Sequence, residues 1–254
     1  MTNILSVKDV TVRFGGIIAV NRVSLDVNRG ELVGLLGANG AGKTSLLGAI
    51  SGAAALSEGR ISLLGRSLVG LTAAMRAQRG IALSHQIVRP FRNMSLLSNV
   101  VLAAGRSFTR SPLLAVLQSD RVHLADKAMS VLSAVGIAHL AQQSPNTQPL
   151  GVLKRLEVAR ALATDPSLLL LDEPLAGLGH HEAMELADLI RKLNERGMTI
   201  ILIEHNLAEV LRICPRIAVL NNGSKIADGA AQIVIKQADV VESYLGEGAA
   251  HAAS

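Results

Sequence analysis

Gly37-Ala38-Asn39-Gly40-Ala41-Gly42-Lys43-Thr44 decides how this chain is to be read. The eight residues fit the pattern GxxxxGK[ST]. They stand between an apolar run, Leu32-Val33-Gly34-Leu35-Leu36, and a helical run that begins Thr44-Ser45-Leu46-Leu47. A strand, a glycine-rich turn and a helix in that order make a phosphate-binding loop. Gly37, Gly40 and Gly42 let backbone N–H groups turn inward around an anion, and the following helix adds the positive end of its dipole. Lys43 neutralises the outer phosphates and Thr44 offers a hydroxyl to Mg2+. The same glycines spell GxxGxG, so the dinucleotide fingerprint GxGxxG does not fit.

Around this loop the composition is that of a packed protein. Of 254 residues, 49% are hydrophobic, a further 23 are glycine, and only 18% are charged, which excludes a disordered chain. Twenty-five Lys and Arg against 20 Asp and Glu give a charge of +5 and a pI near 9.8, suited to an anionic partner: nucleotide, nucleic acid or membrane surface. Three Phe, one Tyr and no Trp are too few for a platform that stacks single-stranded bases. The lone Cys214 allows no intramolecular disulfide and fits a reducing compartment. No basic segment followed by an apolar core opens the chain, so no secretory leader is expected. The longest uncharged stretch, Lys127 to Lys154, is interrupted by Gln142-Gln143-Ser144-Pro145-Asn146-Thr147 and predicts no membrane span. A soluble or peripheral protein is expected.

Outward from the loop, residues 4–36 read as short β-branched runs, a small antiparallel set that leads into a buried strand. A second strand pair is expected at 60–64 and 81–84, with a polar helix between them. Residues 91–164 change to helical periodicity, with Pro145 and Pro149 breaking the chain before a helix that starts at Leu153. Strands return at 168–172, 199–204 and 216–229. The fold expected is α/β: a phosphate-loop ATPase core with a small antiparallel β subdomain and a helical insertion. The ending Gly246-Glu247-Gly248-Ala249-Ala250 and beyond reads as a frayed tail.

Leu168-Leu169-Leu170-Leu171-Asp172-Glu173 puts two carboxylates at the C-terminal tip of an apolar strand, where open α/β sheets bind ligands. Asp172 suits the metal, and Glu173 suits the orientation or deprotonation of an attacking water. Alone, such a tip is an ordinary solvated strand end; beside a phosphate loop it is a catalytic candidate. Thr199-Ile200-Ile201-Leu202-Ile203-Glu204-His205 ends in a histidine placed to reach a γ-phosphate, and Gln86, beyond the strand 81–84, suits Mg2+ or the water.

In this order the motifs resemble the nucleotide-binding subunits of ATP-binding cassette (ABC) transporters, over nearly the whole chain. The resemblance makes residues 37–44 the Walker A loop, with Asn39, Ala41 and Ser45 also at the nucleotide, and Phe14 the adenine-stacking aromatic. It makes Gln86 the Q-loop, Leu168–Pro174 Walker B with Glu173 catalytic, and His205 the switch histidine. It implies ATP and Mg2+, the metal held by Thr44, Gln86 and Asp172. It also implies one domain over 1–246, with a RecA-like and antiparallel β core at 1–90 and 165–246, a helical subdomain at about 91–164, and a flexible tail at 247–254. Residues 13–27, the pairing of the loop with Ile203-Glu204-His205-Asn206, and the segment 240–247 are similar to the first of the two ATPases of branched-chain amino acid importers.

That resemblance implies two ATPase subunits, as a hetero- or homodimer, sandwiching ATP head to tail, membrane-spanning permease subunits, a periplasmic solute-binding protein acting indirectly, and a peripheral site on the cytoplasmic face of the inner membrane. Lipopolysaccharide-export ATPases share much of the core, and nucleic-acid-directed ATPases share the Walker motifs and basic pI. No nucleic acid is expected here, because this is one cassette without a sustained heptad insertion. The chain departs from the family at the signature loop, where Gln148-Pro149-Leu150-Gly151-Val152 replaces LSGGQ and leaves Gly151 to face a partner's ATP. His180, His181 and Glu182 read as a solvated helix start, and Met75, Met94, Met129 and Met184 as core packing. Arg106, Arg110, Arg121 and Lys127 read as solvated faces.

Overall fold

The computed structural model describes residues 2–84, 89–105 and 119–243. Gln86, Arg106, Arg110, the side chain of Arg121 and the 247–254 tail lie outside the described residues. The chain opens with β1 (Asn3–Phe14), β2 (Ile17–Asn28) and β3 (Leu32–Leu36), then α1 (Lys43–Ser51), β4 (Glu58–Leu63), β5 (Arg66–Ser67), α2 (Ala73–Gln78) and β6 (Ile81–Ser84). Helices α3 (Leu96–Ala104), α4 (Ser119–Ala134) and α5 (Leu150–Leu162) follow. Then come β7 (Leu168–Asp172), α6 (His180–Glu195), β8 (Thr199–Ile203), α7 (Leu207–Ile213), β9 (Arg216–Asn221), β10 (Ser224–Ala230) and α8 (Ala231–Val234).

Among the described residues two sheets form. One is antiparallel, in the order β2-β1-β4-β5; the other runs β10-β9-β3-β8-β7-β6 and is parallel except for β10. Every residue of β3, β7 and β8 is buried, which is why these strands read as unbroken apolar runs: a parallel sheet is covered on both faces. The strand period of two then feeds two cores. Leu32, Leu169, Leu171, Ile200 and Leu202 pack with α3, α4, α5 and α6. Val33, Leu35, Leu168, Leu170, Ile201 and Ile203 pack with α1 and the antiparallel sheet.

Four expectations need correction. The segments at 60–64 and 81–84 do not pair with each other: β4 joins β1 in the antiparallel sheet, while β6 lies parallel to β7. The burial patterns explain the split, since β4 has one exposed stretch and suits a one-sided sheet, whereas β6 is almost wholly covered. The helix expected from Leu153 begins at Leu150, with Pro149 at its N-cap, a place where a missing N–H costs no helical bond. The four methionines assigned to the core, Met75, Met94, Met129 and Met184, are 37–44% exposed. Lys127 is only partly exposed and pairs with Asp165.

Candidate active site

The site lies at the C-terminal ends of β3, β8 and β7, which are parallel neighbours. The phosphate loop follows β3 directly. Its path requires glycine at two places: a Cβ at Gly37 (φ +143°) would lie 2.1 Å from the Leu220 carbonyl oxygen, and one at Gly42 (φ +99°) 2.3 Å from that of Ala19. Gly42 is the N-cap of α1 and, having no side chain, supplies no cap to the helix end. Lys43 is buried and curls back over the loop, donating from Nζ to the carbonyls of Gly37 (2.6 Å) and Ala38 (2.7 Å). Asn39 and Gly40 are exposed at the loop's crest, Ala41 is buried, and Ser45 is half-buried.

The loop is braced by the other sheet. Gly223 N donates to Ala41 O (3.1 Å) and Asn21 N to Gly223 O (2.8 Å), linking the loop, the β9–β10 turn and β2. Phe14 ends β1 opposite Ile17 on the hairpin that carries Ala19, and it is 53% exposed, so its ring is available to a planar ligand.

Thr44 Oγ1 and Asp172 Oδ1 face each other at 3.5 Å. A hydroxyl and a carboxylate, all oxygen, suit a hard divalent cation such as Mg2+. At the next residue the backbone enters the left-handed region: Glu173 has φ +50°. Its Oε1 lies 2.6 Å from His205 Nε2, so with the carboxylate ionised Nε2 carries the proton and donates it. Glu173 is largely covered and His205 nearly half exposed, which leaves the pair open on the histidine side.

Two residues to which the sequence assigned no role stand behind this pair. Glu204 is buried; its Oε1 accepts from Leu175 N (2.6 Å) and its Oε2 from His205 N (3.3 Å). Burial pushes its carboxyl up to about 7. Lys154 is buried as well, and its Nζ donates to Glu173 O at 3.2 Å; burial lowers its pKa, partly offset by Glu204 and Glu173. Its spacing with Gly151, Val158 and Ala161 on the buried stripe of α5 was the available signal. Burial also raises the Cys214 thiol to about 12, which makes it inert.

Residues 37–45, Asp172, Glu173 and His205 thus gather at the C-terminal ends of β3, β7 and β8, and Phe14 lies on the β1–β2 hairpin that approaches the loop through Ala19. Gly151 is placed elsewhere: the atoms that a Cβ there would meet belong to Glu182, whose Oε1 would be 2.8 Å away. Leu150, 40% exposed, packs toward Gly177. Adjacent His180 and His181 begin α6 on the surface, and no group of three or more potential metal ligands forms among the described residues. An open cavity of about 700 Å3 lies between α2, β6, α3 and α5, lined by Ala77, Leu83, Phe91, Leu102 and Arg160 among others. No described helix is long and apolar enough to cross a membrane.

Residues 20–176 match the family described as ABC transporter. The chain is 36% identical over 250 residues to the high-affinity branched-chain amino acid transport ATP-binding protein LivG of Salmonella typhimurium, covering 96% of this chain and 98% of that one. BraF of Pseudomonas aeruginosa, of the same description, matches with the same identity and coverage. Among solved structures, the ADP conformation of an ATP-binding cassette of an ABC transporter superposes with a TM-score of 0.84 at 27% identity, over 97% of this chain and all of that one. A nucleotide-free ATP-binding cassette gives 0.83 at 27% identity, over 96% and 99%. With a phosphate loop, an acidic strand end and a histidine assembled on that fold, the chain belongs to the ABC transporter family and is an ATP-binding ATPase.

Proposed function

We propose that this chain is one of two ATPase subunits that drive an importer of branched-chain or chemically related amino acids. The observation that carries the reading is the match to LivG and BraF along nearly the full length of both partners. In this reading the chain docks on membrane-spanning permease subunits at the cytoplasmic face of the inner membrane, and a periplasmic binding protein supplies the solute. The cores at 1–90 and 165–246 hold the nucleotide, and the helical part at about 91–164 faces the permease. The cavity beside α2, β6 and α3, with exposed Phe91 and Leu102, supports that docking face.

The residues divide the chemistry. Lys43 and the loop amides bind the phosphates, and Phe14 stacks on the base. Thr44 and Asp172, joined by Gln86, would hold Mg2+, whose charge offsets that of the phosphates. Glu173 takes the proton of the attacking water, and His205, donating from Nε2, keeps the carboxylate aimed. Gly151 acts on the nucleotide of the partner ATPase.

Uptake of labelled leucine into membrane vesicles that contain the assembled transporter tests the substrate. ATP-dependent accumulation that disappears with Lys43→Ala is expected. ATP-driven export, or indifference of uptake to Lys43, would contradict the reading.

A further inference from the structure

We propose that Glu204 and Lys154 are positioning residues that fasten the turn after β7, so that the Glu173 carboxylate meets His205. The inference rests on Glu173 being the residue that activates water, and it concerns what holds Glu173 in place.

Glu173 occupies a backbone region that a residue with a side chain seldom enters, and such a conformation persists only where its surroundings over-determine it. Four contacts do so. Glu173 N donates to Ile203 O (3.0 Å), and Ala176 N donates to Glu173 O (3.2 Å). Those two are backbone bonds that any sequence here can make. The other two depend on side chains: Lys154 Nζ on Glu173 O at 3.2 Å, and Glu204 Oε1 accepting from Leu175 N at 2.6 Å.

The Glu204 carboxylate therefore spans the two halves of the site. One oxygen holds the turn two residues past Glu173, and the other holds the backbone N–H of His205. Lys154 reaches the same turn from α5 and sits in the field of both Glu204 and Glu173. Each is about 4% exposed. Burying two ionisable side chains is unfavourable unless their polar atoms are engaged, and here they engage the backbone on either side of the catalytic carboxylate. Neither belongs to the phosphate loop, so their effect is expected on the chemical step and not on nucleotide affinity.

The test compares wild type, Glu173→Gln, Glu204→Ala, Glu204→Gln and Lys154→Met in the assembled transporter. It reads kcat for ATP and, separately, the Kd of a non-hydrolysable ATP analogue. Glu204→Ala and Lys154→Met should each lower kcat about tenfold or more while Kd stays within about twofold, since misaiming a general base forfeits much of its rate advantage. Glu204→Gln, which keeps an oxygen for Leu175 N–H, should retain at least about a third of kcat. Should the alanine variant fail to fold, the methionine and glutamine variants decide. Wild-type kcat in Glu204→Ala and Lys154→Met beside an inactive Glu173→Gln would overturn this inference alone, as would loss of Kd in step with kcat. Wild-type kcat in Glu173→Gln would instead overturn the role of Glu173 on which it rests.

Discussion

His205 Nε2 and Glu173 Oε1 stand 2.6 Å apart on residues that leave the ends of two adjacent parallel strands. Neither strand alone orients its polar tip; the pairing of β7 with β8 brings the tips together, and Asp172 and Thr44 complete the group beside the phosphate loop.

Lys43→Ala should weaken ATP binding itself. The ammonium is held at the loop by two carbonyls, ready to exchange them for phosphate oxygens. Loss of a charge-assisted hydrogen bond costs about 1.5–3 kcal/mol, roughly a 10- to 100-fold weaker Kd by calorimetry. Unchanged affinity would remove Lys43 from the phosphate site.

Arg76→Ala should destabilise the fold. The buried guanidinium donates to the carbonyls of Ala49 and Ile50 in the last turn of α1, and to Leu71 O at 3.2 Å. Without it these acceptors stay buried and unpaired, a loss of about 2–4 kcal/mol in urea unfolding. A loss under about 0.5 kcal/mol, typical of surface changes, would contradict the capping role.

Stability should depend on pH through Glu204. Its carboxyl rises from 4.5 when unfolded to about 7 when folded. The native state then holds the proton more tightly, so this contribution is complete below pH 4.5 and is lost as pH rises through about 7. Against Glu204→Gln, whose amide does not titrate, wild type should lose about 3 kcal/mol between pH 4.5 and 8. Parallel unfolding free energies across that range would show that the group does not titrate there.

The two nucleotide sites of the assembled transporter should differ. Pro149 stands at the N-cap of α5 with neither hydroxyl nor N–H, Leu150 replaces a glycine, and the Glu182 carboxylate lies against Gly151. In the proposed head-to-tail pairing with a second, different ATPase, this face would offer the partner's γ-phosphate fewer donors, and a single missing donor costs about 2.7–4 kcal/mol of transition-state stabilisation. Lys43→Ala should therefore harm uptake more than the matching lysine change in the second ATPase. Equal losses would remove the asymmetry.

The strands that carry the site were legible because burial on both faces forces apolar runs, as in Leu168–Leu171 and Ile200–Ile203. The phosphate loop was legible because its glycines answer to local backbone geometry. Strand partners were not: nothing local in 60–64 says that it joins β1, since pairing is decided by which face each strand covers. The methionines misled because an apolar side chain also sits on a surface: Met75, Met129 and Met184 do so on helices and Met94 in the bend before α3. Glu204 and Lys154 had no assigned role because the contacts that tie them to the turn after β7 are to backbone atoms 29 and 19 residues away.

In the function proposed above, Glu173 activates water and does not hold the nucleotide. Phosphate release and nucleotide binding, measured on one preparation of Glu173→Gln, test it most directly. The amide keeps the shape but cannot accept the water's proton, so ATP should bind within about twofold of wild type while phosphate release falls about 100-fold or more. Phosphate release at the wild-type rate would contradict the account.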